Sequence, residues 1–261
     1  MNNSFQHVRD TWRTLGETDP LWAILSQPGK EGGAWNVAEF LATGDAVVDQ
    51  YRRLFEVHNA PISFGRVLDF GCGVGRLSLA WSKHAGEVIG IDVSAPMIER
   101  GRSIVARVEN VRLALNEKPD LRQFPDDSFD LIFSHIVLQH IPWENASAYL
   151  LEFARVCRVG GWVAFQLPSR AGGDRLSKVR GWLVDNLPFG LAKVYRRWRR
   201  GVPVAFDMHF TSPETVISLL GSAGMRFVHC ELDLAAGENT TGFIYLWQKT
   251  AASRTGPSAS A

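Results

Sequence analysis

Short apolar runs alternate with amphipathic stretches of helical spacing through most of the chain, a pattern typical of a parallel α/β sheet. The predicted strands are residues 66–70, 87–94, 111–115, 129–134 and 162–167, which carry apolar residues for both faces. Helices are predicted after the first, second and fourth of these strands. Residues 225–230 and 242–247 predict two last strands, and their link is too short for a helical crossover. We therefore expect an α/β fold whose last two strands pair antiparallel.

The N-terminal segment, residues 1–60, departs from this alternation. Its spacing predicts several short helices, with Gly44 ending one of them. Glycines are mixed there with the aromatic residues Trp22, Trp35 and Phe40. The segment is predicted to form either a helical lid or an aromatic plug at the sheet edge, and both interpretations stay open.

A second departure lies between the fifth strand and the next predicted helix. Apolar residues such as Trp182 and Leu187 predict amphipathic helices there, and a basic cluster follows at 193–200. This segment is predicted to cap the acceptor site, although a run of basic residues also suits a solvated helix face. The predicted divisions are a lid (1–60), a core (61–168), a cap (169–210), the rest of the core (211–249) and a disordered tail (250–261).

Length and composition suit one α/β domain with a cap. The chain has 261 residues and a formal net charge of +1, which gives no general attraction to nucleic acid. The three cysteines lie far apart and predict neither a disulfide framework nor a zinc site, so we expect a reduced, cytoplasmic protein. The first residues do not resemble a secretory signal, and no apolar stretch is long enough to span a membrane.

A glycine loop joins the first predicted strand to its helix. Glycines at 71, 73 and 75 allow a sharp turn and bring bare backbone against a ligand at a helix N-terminus. A dinucleotide site would have the spacing G-x-G-x-x-G, but Arg76 occupies the position of its third glycine. Asp69 at the strand end would repel a phosphate and attract a cation. The loop is therefore poorly suited to a pyrophosphate ligand. This argues against an NAD-dependent oxidoreductase.

The pattern D-x-G-x-G-x-G from Asp69 to Gly75 resembles motif I of the class I S-adenosylmethionine-dependent methyltransferases. The resemblance covers residues 62–168 and, in topology, 211–249, and is nearest to the small-molecule branch that modifies quinones and natural products. It implies a Rossmann-like, seven-stranded, mostly parallel sheet with an antiparallel last strand, a helical N-terminal lid and a helical cap insertion. It also implies S-adenosylmethionine as the cofactor, held at Asp69, Gly71, Cys72, Gly73 and Gly75.

The second predicted strand ends in another acid. Asp92 follows Asp69 by 23 residues, near the spacing expected for an acid that binds ribose. In the methyltransferases that the chain resembles, the matching acid takes both ribose hydroxyls and the next residues pack on the adenine. The resemblance therefore implies ribose binding by Asp92 and adenine contacts from Val93 and Met97.

Two later segments complete the implied cofactor site. In similar methyltransferases an acid and an apolar residue after the third strand bind the adenine, which here suggests Asp120 and Leu121. Asn116 competes with Asp120 for this role, because an insertion blurs the alignment. Ser134 and His135, at the end of the fourth strand, are expected at the cofactor's amino-acid end.

Methyl transfer is an in-line displacement, so catalysis depends mainly on placing the nucleophile against the methyl group. An oxygen nucleophile also needs its proton removed, and histidine suits that task near neutral pH. His140 follows the fourth strand where the methyl group is expected, and Asp207 with His209 could face the same pocket. These three residues are the candidate catalytic groups. No metal is predicted, because Asp207 and His209 lack a clear third ligand.

The predicted function is methyl transfer to an oxygen, nitrogen or carbon nucleophile of a small-molecule or lipid-like acceptor. One alternative is an RNA methyltransferase that uses the basic cluster at 193–200, although residues 130–143 lack the motif expected for a flipped base. Another is a cofactor-binding protein without catalysis, which the intact glycines and both acids disfavour. The same basic cluster leaves peripheral contact with a membrane surface open, while the oligomeric state is not predicted.

Overall fold

The structure is a computed structural model that describes residues 3–171, 207–235 and 240–251. The described helices are α1 (Asn3–Thr18), α2 (Pro20–Ile24), α3 (Val37–Val57), α4 (Arg76–Ser82), α5 (Ala95–Val105), α6 (Trp143–Val156) and α7 (Pro213–Ser222). The strands are β1 (Phe64–Phe70), β2 (Ala85–Asp92), β3 (Val111–Leu115), β4 (Phe129–Ser134), β5 (Cys157–Ala171), β6 (Met225–Asp233) and β7 (Thr240–Lys249). A 3₁₀ turn, Leu138–His140, precedes α6.

The strands form one seven-stranded sheet in the order β3-β2-β1-β4-β5-β7-β6. The pairs β1–β2, β1–β4, β2–β3 and β4–β5 are parallel. Strand β7 lies between β5 and β6 and runs antiparallel to both of them. The predicted Rossmann-like sheet, with its antiparallel final pair, is confirmed. Because the parallel strands end at one edge, the residues that follow β1, β2 and β4 meet there.

Helices cover both faces of the sheet, because its central strands are apolar on both sides. Buried residues of α6 and α7 pack on one face. Buried residues of α3, α4 and α5 pack on the other face. A third buried cluster joins α2 and the start of α3 to Val74 and Met97, near the carboxyl edge of the sheet. The N-terminal helices are therefore part of the packed structure around that edge.

Helix α3 corrects the prediction that Gly44 ends a helix. It runs without interruption from Val37 to Val57, with Asn36 accepting backbone hydrogen bonds at its start. A Cβ atom on Gly44 would lie 2.7 Å from the backbone oxygen of Arg76. The glycine therefore allows α3 to approach the first turn of α4 closely, a tertiary contact that local sequence does not show.

We expect Gly44→Ala to lower the free energy of unfolding by about 1–3 kcal/mol, because the added methyl forces two packed helices apart. Gly221→Ala in α7 is the matched control, since a Cβ there meets nothing within 4 Å. Alanine favours helices over glycine, so the control should gain up to about 1 kcal/mol. Chemical denaturation measures both changes. Equal effects of the two substitutions would show that the α3–α4 contact does not need a glycine.

Strand β5 extends beyond the predicted core boundary at residue 168. It continues to Ala171, where Arg170 and Ala171 pair with Thr241 and Thr240 of β7. The first residues of the predicted cap therefore belong to the sheet, because β7 supplies backbone partners for them. The basic cluster at 193–200 and almost all of the predicted tail lie outside the described residues. No described helix is both long enough and apolar enough to cross a membrane.

Candidate functional site

A cavity of about 560 Å³ opens at the carboxyl edge of the sheet. Its wall includes the residues that follow β1, β2 and β4, together with side chains from α1 and α2. The volume is in the range of cavities that bind small molecules and cofactors. Among its described lining residues the carboxylates are Asp92 and Glu31, and none is a lysine or arginine.

The glycine loop forms one wall of this cavity. Gly71, Gly73 and Gly75 have φ angles of 76°, 55° and 86°, which side-chain-bearing residues rarely adopt. A Cβ atom on Gly71 would lie 2.3 Å from Val137 Cγ1, and one on Gly73 would lie 2.6 Å from Ile24 Cδ1. Gly71 and Gly73 line the cavity, whereas Gly75 precedes α4 and faces the side chain of Leu113.

Asp92, the predicted ribose-binding acid, lies in the cavity wall. Its Oδ2 accepts a hydrogen bond from the Gly73 N–H at 2.9 Å, and its Oδ1 accepts one from the Ser94 N–H at 2.8 Å. A carboxylate oxygen can accept two hydrogen bonds, so each oxygen retains capacity for a ligand hydroxyl. Burial raises the pKa of Asp92, while these backbone donors oppose that rise. The side chain therefore fixes the glycine loop and can bind a diol.

Asp69 and Cys72 belong to the predicted cofactor set, but neither side chain is part of the cavity wall. Asp69 is 1% exposed, and its Oδ2 accepts a hydrogen bond from Ser78 Oγ of α4 at 2.5 Å. Burial raises the pKa of Asp69 to about 6. Cys72 is buried, and burial raises the pKa of its thiol well above the ordinary value. Asp69 thus ties β1 to α4 rather than facing the cavity.

The cavity wall also contains Val93, Met97 and Asn116. Asn116 is buried, and its Nδ2 donates a hydrogen bond to the Tyr149 hydroxyl at 3.1 Å. Asp120 lies outside this wall, where its carboxylate faces Arg122 at 3.8 Å. Of the two residues that compete for the adenine, the structure therefore places Asn116 in the cavity.

The remaining predicted cofactor residues are buried behind the wall. Leu121 is 0% exposed in the core beneath α6. Ser134 Oγ donates to the Phe70 carbonyl oxygen at 3.1 Å and so ties β4 to the end of β1. His135 Nδ1 lies 3.1 Å from the Tyr51 hydroxyl of α3. Burial, followed by the charge of Arg76, lowers the pKa of His135 to about 3.

His140 lines the cavity at the turn before α6. Its Nδ1 lies 2.9 Å from the backbone oxygen of Asp207, which can only accept, so Nδ1 carries the proton. Its Nε2 is then an acceptor, and Gln139 Nε2 lies 3.1 Å away as the donor. Gln139 also lines the cavity, and its Oε1 has no hydrogen-bond partner among the described residues. Burial lowers the pKa of His140 to about 4, so the ring is neutral near pH 7.

Asp207 and His209, the other two candidate catalytic residues, lie next to His140. The His209 N–H donates to the Gln139 carbonyl oxygen at 2.7 Å, and Asp207 Oδ2 lies 3.5 Å from His7 Nε2 of α1. Both residues line a smaller pocket of about 90 Å³, which shares His140 with the main cavity. The structure thus brings all three candidates together, but only His140 borders the main cavity. The described residues contain no group of three or more side chains suited to a metal ion.

The buried neutral imidazole of His135 predicts a pH-dependent stability. The pKa falls from 6.5 to about 3 on folding, so only the unfolded chain gains this proton between those values. Stability is therefore retained above pH 6.5 and is lost as the pH falls. Between pH 8 and pH 5 we expect the wild type to lose about 2 kcal/mol more than His135→Gln. Denaturation at both pH values measures this difference, and parallel losses in the two proteins would contradict it.

Sequence reasoning missed several residues of the cavity wall. Ile136 has a φ angle of 56°, which is a genuine outlier for a β-branched residue, and it borders the cavity. Trp12 and Tyr149 reach the same cavity from α1 and α6, and Trp22, a residue of the predicted lid or plug, reaches it from α2. Strained backbone of this kind often occurs at ligand sites. Nothing in the local sequence around Ile136 indicates its conformation.

A sequence-family profile for the methyltransferase domain matches residues 68–165, which run from β1 into β5. Residues 68–165 are therefore similar to a methyltransferase domain. The match begins just before the glycine loop and includes Asp92, Asn116 and His140. The N-terminal helices and everything after residue 165 lie outside it.

Two curated methyltransferases are similar to part of this chain. The malonyl-[acyl-carrier protein] O-methyltransferase of Salmonella typhimurium is 38% identical over 105 residues, which is 39% of this chain and 38% of that protein. The demethylmenaquinone methyltransferase of Staphylococcus aureus is 38% identical over 101 residues, which is 38% of this chain and 41% of that protein. The matched segment thus spans well under half the length of these relatives.

A solved structure resembles the chain over a longer range. The magnesium protoporphyrin IX methyltransferase of Synechocystis PCC 6803, with bound SAH, superposes with a TM-score of 0.65 and 18% sequence identity. The superposition covers 95% of this chain and 100% of that one. At this identity the likeness shows the fold alone.

Proposed function

We propose that this protein transfers a methyl group from S-adenosylmethionine to a nucleophile on a small-molecule acceptor. The observation that carries the proposal is the shared cavity: Gly71, Gly73 and Asp92 form one part of its wall, and Gln139 with His140 forms another. A cofactor cradle and a neutral imidazole therefore open into one space. The methyltransferase domain and its relatives support this reaction class.

The residues present fit S-adenosylmethionine. Gly71 and Gly73 bring loop backbone to the cavity wall, and Asp92 retains hydrogen-bond capacity for both ribose hydroxyls. Val93 and Met97 offer apolar surface for the adenine, with Asn116 as the polar group beside it. When bound, the cofactor supplies an electrophilic methyl group on a sulfonium centre.

His140 is proposed to receive the acceptor's proton at Nε2. The Asp207 carbonyl fixes the proton on Nδ1 and so keeps the Nε2 lone pair available for an incoming hydroxyl or amine. In this structure Gln139 Nε2 donates a hydrogen bond to His140 Nε2, and this bond would break when the acceptor binds. Because burial lowers the pKa of His140 to about 4, we expect proton removal to accompany methyl transfer rather than precede it.

The acceptor is proposed to be largely apolar, as a quinone, another aromatic compound or a lipid-like molecule would be. Phe5, Val8 and Trp12 of α1 line the cavity near His140, and Ile141 and Met208 add further apolar surface. A free carboxylate on the acceptor would meet no lysine or arginine among the described lining residues. A hydroxyl or amine on an apolar body suits this wall better.

Calorimetry with S-adenosylmethionine and, separately, NAD tests the cofactor assignment. We expect S-adenosylmethionine to bind and NAD to show no binding. Transfer of a labelled methyl group to a panel of hydroxylated aromatic and quinol compounds then tests the reaction. Failure of S-adenosylmethionine to bind would overturn the proposal, whereas binding without transfer to any acceptor would favour a non-catalytic protein.

On a hydroxyl acceptor, we expect His140→Ala to lower kcat by about 10²-fold with little change in cofactor affinity, because only the proton acceptor is lost. Steady-state kinetics with the first acceptor from the panel measure the effect. His209→Ala is the matched control, since His209 borders only the smaller pocket. If His209→Ala abolishes activity while His140→Ala stays within a few-fold of the wild type, the base is misassigned.

A further inference from the structure

The indole nitrogen of Trp22 is a buried donor, and the described residues offer it no acceptor. Trp22 belongs to α2, whose start is held by Asp19, and it lines the cavity while only 6% exposed. Its Nε1 has no hydrogen-bond partner among the described residues. A buried polar group without a partner lowers stability unless a ligand satisfies it. The position therefore suggests that a ligand group accepts this hydrogen bond.

A second buried tryptophan in the same cluster has its indole N–H paired with a protein acceptor. Trp35 is 5% exposed and packs in the buried cluster that contains Trp22. Its Nε1 donates to the Leu25 carbonyl oxygen at 3.1 Å, and it does not line the cavity. The two indoles differ in that Trp35 has a protein partner and Trp22 borders the ligand space.

The chemistry of the cavity narrows the choice of ligand group. An indole N–H can only donate, so the cofactor's ammonium group is excluded as its partner. Asp92 is already placed for the ribose hydroxyls. The cofactor's carboxylate is an anion, and the described wall offers it no lysine or arginine. The carboxylate therefore needs neutral N–H donors. Hydrogen bonds to an ionised group are stronger than those between neutral groups.

The position of α2 connects this donor to the glycine loop. Ile24, two residues after Trp22, lies over Gly73, where an added Cβ would be 2.6 Å from Ile24 Cδ1. The same helix thus covers the loop and places Trp22 in the cavity wall. We propose that Trp22 Nε1–H donates a hydrogen bond to the carboxylate of bound S-adenosylmethionine. This assignment rests on the proposed function, and it gives α2 a direct part in ligand binding.

The test compares Trp22→Phe and Trp35→Phe by calorimetry with two ligands. S-adenosylhomocysteine carries the carboxylate, whereas methylthioadenosine lacks the amino-acid part. We expect Trp22→Phe to bind S-adenosylhomocysteine about tenfold or more weakly and to bind methylthioadenosine like the wild type. Trp35→Phe should show the same preference between the two ligands as the wild type.

Two further measurements separate this role from a structural one. Without ligand, Trp22→Phe should keep or raise Tm because it removes an unpaired donor, whereas Trp35→Phe should lower it. In the wild type, the Trp22 indole ¹H–¹⁵N signal should move downfield with S-adenosylhomocysteine and not with methylthioadenosine.

Unchanged affinity of Trp22→Phe for S-adenosylhomocysteine, or equal weakening for both ligands, would overturn the assignment while the proposed function stands. A wild type that binds neither ligand would overturn both.

Discussion

Asp92→Ala is expected to weaken binding of S-adenosylhomocysteine about a hundredfold. The two ribose hydroxyls would lose charge-assisted hydrogen bonds worth about 2–3 kcal/mol together. The variant also loses the carboxylate that accepts from the Gly73 and Ser94 N–H groups, so the glycine loop is held less firmly. Calorimetry on the folded variant measures the change.

Asp120→Ala is the matched control for this prediction. Asp120 also follows a strand of the parallel sheet, but it lies outside the cavity wall, beside Arg122. We expect its removal to leave affinity within about twofold of the wild type, the size of a surface charge effect. Full affinity in folded Asp92→Ala would refute the ribose assignment. A large loss in Asp120→Ala would give the adenine role to Asp120 rather than to Asn116.

Gly71→Ala is expected to prevent cofactor binding and to destabilise the fold. The φ angle of 76° strains any residue with a side chain, at a cost of about 1 kcal/mol or more. The new methyl would also lie 2.3 Å from Val137 Cγ1 and 2.5 Å from Cγ2. Either Val137 or the loop must therefore move, and both line the cavity. We expect a loss of affinity above about a hundredfold, since the displaced backbone forms the cradle itself.

Gly160→Ala separates the backbone strain from the collision. Gly160 has a φ angle of 78°, nearly that of Gly71, but an added Cβ meets nothing within 4 Å. This variant should lose only about 1 kcal/mol of stability and keep its cofactor affinity. Thermal denaturation and calorimetry on both variants compare the two glycines. Similar results for Gly71→Ala and Gly160→Ala would mean that contact with Val137 is unimportant.

The strands of the parallel core could be predicted because their signal is local. A buried parallel strand is a short apolar run, and each run here ends at a glycine, an acid or a polar turn. The antiparallel final pair also followed from local information, namely a link too short for a crossover. Gly44 shows where this reasoning fails. Helices often end at a glycine, but Gly44 lies inside α3 because α4, more than thirty residues later, approaches it closely.

The candidate site was predicted less completely. Asp69 and Asp92 both lie at strand ends, yet only Asp92 borders the cavity. Successive side chains of a strand point to opposite faces, so Asp69 turns toward Ser78 while its neighbour Phe70 turns toward the cavity. Asn116 and Asp120 could not be separated by spacing. The structure separates them because Asn116 directly follows β3, whereas Asp120 lies further along the loop.

The sequence by itself determined the glycine loop, the order of the strands and helices of the core, and the position of Asp92. These features depend on backbone freedom at glycine and on periodicity within one element. Only the tertiary structure decided that His140 donates to the Asp207 carbonyl oxygen, that Trp22 reaches the cavity and that Asp69 does not. Those outcomes depend on contacts between segments far apart in the chain, such as α2 over the loop at Gly73. Packing of the whole core sets such contacts, and a local pattern of residues does not specify that packing.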